Sequence, residues 1–146
     1  MVSMSRNVLT AAAAALALTV GATSALAQQT SPVAKAPPAA PYKAVSSLVK
    51  LPDFIPGLGQ LFVDPSTLPA GPFLGYDHAG KLVSTTYMIP LSTMKPDMHF
   101  HDLKAPAGAV DHVDIMYNAG HPGVAEPHLH IILWNVPADQ ESRVAK

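Results

Sequence analysis

Short apolar runs alternate with proline and glycine along most of this chain. From residue 52 to residue 127 the breakers include Pro56-Gly57, Pro65, Pro69, Gly71-Pro72, Gly80, Pro90, Pro96, Gly108, Gly120, Pro122-Gly123 and Pro127. Such spacing forbids long helices and suits short strands joined by turns. Five runs between the breakers have strand composition, at residues 60–63, 73–76, 81–89, 112–117 and 128–136. Around Asp77-His78-Ala79-Gly80 the pattern predicts a hairpin, because Asp opens a turn and Gly80 accepts positive φ. One short helix is expected at residues 44–49, and a turn of helix at residues 65–68 or 92–94. The fold class that follows is mainly β: a small antiparallel sandwich or partial barrel with one or two short helices.

Alternation also assigns faces. In the run from residue 112, His112, Asp114 and Met116 share one side while Val113, Ile115 and Tyr117 share the other, which reads as the core side. In the run from residue 128, His128, His130, Ile132 and Trp134 stand opposite Leu129, Ile131 and Leu133.

The ends are different. Residues 1–27 combine a basic start at Arg6, an apolar run too short to cross a bilayer and small residues Ala25 and Ala27, which together predict a secretory signal peptide cleaved before Gln28. Residues 28–42 hold four prolines and little that is large and apolar, so they read as a flexible Pro/Ala-rich tether. A single β-rich domain is then expected at residues 43–137, followed by a polar tail at residues 138–146. The protein is expected to be periplasmic or extracellular, with no membrane anchor after cleavage.

Composition narrows the chemistry. There is no cysteine, which excludes disulfides, thiolate metal sites and cysteine nucleophiles. Loss of Arg6 with the signal takes the formal net charge from −1 to −2. A nearly neutral chain without Lys/Arg clusters argues against nucleic-acid or anionic-membrane partners.

Six of the seven histidines lie between His99 and His130. Two His-x-His units, His99-Phe100-His101 and His128-Leu129-His130, flank His112-Val113-Asp114, and on extended chain each pair projects both rings to one side, with Phe100 turned to the core. If His112 lies opposite His130, Asp114 lies opposite His128 and four polar groups line one patch; a slip of one residue would divide them between faces. The candidate ligands are His112, Asp114, His128, His130, His99, His101, His121 and Glu126. With nitrogen and oxygen donors only, the expected cofactor is a divalent transition metal, zinc, copper, manganese or iron. Glu126 beside His128 is also a candidate general base on a metal-bound water. The chain has no Gly-x-Ser-x-Gly elbow, His-Glu-x-x-His helix, phosphate loop or dinucleotide fingerprint. The leading expectation is therefore a secreted metal-binding domain without assigned catalysis. The alternatives are a small cupin-like metalloenzyme and an interaction or oligomerisation domain whose histidines form a wet polar patch.

Read with the upstream segment GPFLGYDHAGKLVSTTYMIP, the block HVDIMYNAGHPGVAEPHLHIILW resembles a family of small secreted bacterial domains of unknown function, typed by a thermophile protein. In that family an H-x-D/E strand, a Gly-His-x-Pro loop and a Pro-His step recur in this order. The resemblance covers residues 61–137 and implies a secreted β-rich domain with a histidine patch that can form a homo-oligomer. Its last strand continues with a carboxylate and then a second histidine at alternate positions, where this chain has His130 and Ile132. The resemblance therefore carries a site only to His112, Asp114, His121 and His128. A looser resemblance to cupins lacks the Glu expected a few residues after a His-x-His pair.

Overall fold

The computed structural model describes residues 31–105 and 108–146; the expected signal peptide lies outside them. Six strands form one antiparallel sheet: β1 (Lys43–Ala44), β2 (Gln60–Val63), β3 (Phe73–Tyr76), β4 (Leu82–Pro90), β5 (His112–Asn118) and β6 (His128–Trp134). Their order is β1-β2-β3-β4-β6-β5, and the sheet does not close into a barrel. The five expected runs are thus all strands, and the short helical turns are 3-10 turns at Val45–Ser47, Pro65–Thr67 and Leu91–Thr93. No helix among the described residues is long and apolar enough to cross a membrane.

The hairpin between β3 and β4 forms for the expected reason. Asp77 Oδ1 accepts from the amides of Ala79 at 3.0 Å and Lys81 at 2.8 Å, and Gly80 sits at φ +71°. After β4 the chain passes to the far edge, runs along β5, and returns in β6 between β5 and β4. That order makes β6 a central strand. Its side chains alternate between buried His128, His130, Ile132 and Trp134 and half-buried Leu129, Ile131 and Leu133. β5 is an edge strand, and here the expected core side is reversed in effect: Val113 is 51% exposed, Ile115 67% and Tyr117 63%. Nothing among the described residues covers that outer face, whereas the His112 side is flanked by the C-terminal segment through Glu141.

Both ends of the domain contribute to the core, contrary to expectation. Val33, within the expected tether, is buried with Phe62, Leu74 and Tyr76. The Tyr76 hydroxyl donates to the Val33 carbonyl at 2.7 Å, and the Ala36 amide donates to the Gly80 carbonyl at 2.9 Å. A proline-rich segment without an apolar period can still lie on a sheet when one valine finds a pocket and its carbonyls find donors. The expected polar tail forms a 3-10 helix, Ala138–Val144, whose Val144 is buried with Val83, Ile132, Trp134 and Val136.

Candidate metal centre

The three-histidine group is built from one strand and one loop. His128 and His130 alternate on β6, so both rings leave the same face, and both are buried. Pairing fixes their neighbours: Asn118 of β5 and Pro90 of β4 flank His128, while Met116 and Met88 flank His130. The loop between β5 and β6 brings in His121. Asn118 Oδ1 accepts from the Gly120 amide at 2.9 Å, and His121 and Val124 exchange two backbone hydrogen bonds of 2.9 Å around Pro122-Gly123. Proline followed by a glycine at φ +94° is the composition of a type II turn. Gly120 adopts φ +124°, and a Cβ there would lie 2.5 Å from the Ala125 carbonyl oxygen, so the loop closes only with glycine at that position.

The three rings converge through their Nε2 atoms. His128 Nε2 lies 3.2 Å from His121 Nε2 and 2.9 Å from His130 Nε2. Behind them, His128 Nδ1 donates to the Glu126 carbonyl at 2.8 Å and His121 Nδ1 donates to the Pro122 carbonyl at 3.0 Å. A carbonyl can only accept, so each of these Nδ1 atoms carries its proton. Burial, reinforced by His128 and His121, pushes His130 down to about 4 and keeps it neutral near pH 7.

A cavity of about 320 Å³ adjoins this group. Its walls are apolar, including Leu48, Leu61, Phe73 and Val124, and His121 and His130 form part of its lining.

His112 and Asp114 belong elsewhere. Their expected patch with His128 and His130 does not form, because the register pairs His112 with Trp134 and Asp114 with Ile132. The face is shared, but His112 stands opposite a residue four positions beyond His130, at roughly 3.3 Å per residue of strand. There His112, Asp114 and Glu141 make a second group. Both His112 nitrogens face carboxylates, Asp111 at 3.0 Å and Glu141 at 2.9 Å, while Asp114 accepts from Trp134 Nε1 at 2.9 Å. The Asp111 hydrogen bond, with Glu141 adding and burial opposing, raises the His112 imidazole above its ordinary value. An imidazolium between two carboxylates accounts for these contacts without an ion. The set implied by family resemblance, His112, Asp114, His121 and His128, is accordingly divided between the two groups.

His99 and His101 join neither group. They are exposed on irregular chain with rings stacked at 5.3 Å, and Phe100 is 42% exposed instead of entering the core. The Glu126 carboxylate accepts from Ser92, so this residue serves the site through its backbone carbonyl and not as a carboxylate ligand. Glu141 was hidden in a segment that reads as a polar tail; the only sequence signal for its docking is the apolar Val144 three residues on. His78 stacks on Phe54 at 3.7 Å, away from both groups.

Comparison with known proteins points to one family. The family model for TTHB210-like proteins, described as hypothetical protein TTHB210, matches residues 77–117. That span runs from the hairpin through most of β5, and so is narrower than 61–137 and stops short of His121, His128 and His130. The crystal structure of hypothetical protein TTHB210 from Thermus thermophilus is 48% identical, covering 65% of this chain and 87% of that chain, with a TM-score of 0.57. No curated protein matches the chain.

Proposed function

The chain belongs to the TTHB210-like family, and from that premise we propose that it is an exported domain that binds a divalent transition metal through His121, His128 and His130. One observation carries this reading. With Nδ1 protonated on both His121 and His128, their Nε2 atoms each present a lone pair, and the two stand 3.2 Å apart. Two lone pairs at that distance repel unless a proton or a cation lies between them.

A metal suits the spacing. Nitrogens 2.0–2.1 Å from a tetrahedral ion are about 3.3 Å apart, close to the separations of 3.2 and 2.9 Å here. Donation of the far ring nitrogen to a backbone carbonyl is the usual support for a ligating histidine, since it fixes both tautomer and ring angle. Three imidazoles without thiolate or carboxylate favour zinc or copper over manganese, which prefers oxygen donors.

Three protein ligands leave a coordination position open, and an apolar cavity beside it favours a site that handles a small molecule over one that stores or merely buries the ion. Elemental analysis of the untagged protein tests the reading: about one zinc or copper per chain supports it, and a metal-free protein that takes up neither ion refutes it. Association between copies is the second reading. The observation favouring it is the outer face of β5, uncovered among the described residues, with Val113, Ile115 and Tyr117 in a row on an edge strand. Ile115→Lys would then lower the oligomeric mass measured by light scattering, and an unchanged mass counts against it.

A further inference from the structure

The cavity beside the three histidines has chemistry of its own. Its volume, about 320 Å³, lies at the small end of the roughly 300–1,000 Å³ of small-molecule sites. Its walls come from separate parts of the fold: Leu48 after the first 3-10 turn, Leu61 on β2, Phe73 on β3 and Val124 in the β5–β6 loop. Such walls select an apolar body of limited size, because each methylene taken from water into apolar surroundings favours binding.

Two polar features interrupt this lining. The first is the histidine group. A divalent ion held there by three neutral imidazoles carries its charge into apolar surroundings, and no carboxylate is among the three grouped residues; the nearby Glu126 carboxylate is bonded to Ser92 instead. Low dielectric makes such an uncompensated charge costly, so the open coordination position calls for an anion. The second is Thr86, which is 4% exposed, lines the cavity, and has a hydroxyl with no hydrogen-bond partner among the described residues. Buried hydroxyls without a partner are uncommon, but this oxygen is itself closed off from the cavity, so the ion and the apolar walls carry the recognition.

We infer that the cavity binds a small monocarboxylate with an aliphatic body, its head on the metal at His121, His128 and His130 and its tail among Leu48, Leu61 and Phe73. The inference rests on the proposed metal site and adds to it the class of molecule that completes the coordination.

Calorimetric titration of the zinc-loaded full chain with acetate, butyrate, hexanoate and octanoate tests it. The dissociation constant is expected to fall about fourfold per added methylene, the equivalent of about 0.8 kcal/mol, until the cavity is full. Leu48→Trp fills the space from a position 38% exposed, so the fold tolerates it, as its melting curve will show. It should flatten the chain-length series and leave zinc affinity unchanged. Zinc binding with an affinity for carboxylates that does not depend on chain length overturns this inference and leaves the metal reading standing. An equally steep series in zinc-free protein overturns the placement of the head group on the metal. Failure of zinc and copper to bind removes both readings together.

Discussion

Arg143 clamps Asp77 from the other end of the chain: its Nε donates to Asp77 Oδ2 at 2.9 Å, and a second guanidinium nitrogen donates to the same oxygen. The turn between β3 and β4 and the last 3-10 helix are thereby held together, with Val144 buried next to the clamp. Burial raises the Asp77 carboxyl, but the Lys81 amide, Arg143 and the Ala79 amide outweigh it and hold the group below its ordinary value. A carboxyl whose folded value is lowered contributes stability above its unfolded value near 3.8, and that contribution is lost as pH falls through the folded value. Arg143→Ala should cost about 1–2 kcal/mol at pH 7, a fall of several degrees in melting temperature. The difference from wild type should shrink as the pH drops below 4. Equal melting curves at pH 7 would show that the clamp contributes nothing.

Val33 makes residues 31–42 part of the fold, since its side chain is buried against Phe62, Leu74 and Tyr76. Val33→Asp would bury a charge without a partner and should destabilise by more than about 2 kcal/mol. Thermal melting of this variant, compared with an Ala39→Asp control at an exposed position of the same segment, checks the assignment. If both variants melt with the wild type, the segment does not dock.

Thr86 offers an unusual sign. Because its hydroxyl is buried without a partner among the described residues, Thr86→Val removes a desolvated polar group and should stabilise the ligand-free protein by about 1 kcal/mol. A melting temperature raised by a few degrees is expected. A lowered one would mean that the hydroxyl is already satisfied.

Strand positions were legible in the sequence because proline and glycine bounded each run and the hairpin carried its own turn chemistry at Asp77 and Gly80. The site was legible in part. His128 and His130 share a face wherever β6 pairs, since alternation is local. What depends on register was not: no local rule says that His112 meets Trp134 instead of His130, and that pairing separates the two candidate groups. Strand order was hidden for the same reason. With β6 in the centre and β5 at the edge, the apolar residues Val113, Ile115 and Tyr117 face outward, although taken alone they form the better core face. His99 and His101 do bring their rings side by side, but on irregular chain outside the sheet, where no third ligand joins them among the described residues. Val33 and Val144 show the limit of composition, because a single buried valine anchors a segment that otherwise reads as linker or tail.

We propose that His121, His128 and His130 hold one metal ion, and zinc titration followed by calorimetry and melting decides it. Wild-type protein should bind one zinc per chain, and at a free zinc concentration 100 times the dissociation constant its native state should gain about 2.7 kcal/mol. His121→Ala removes a half-buried loop ligand without touching the sheet. It should weaken zinc by more than the roughly 10–100-fold typical of losing a hydrogen-bonded support, whereas His112→Ala should leave zinc affinity as in the wild type. Full zinc affinity in His121→Ala, or loss of zinc in His112→Ala alone, would contradict the assignment.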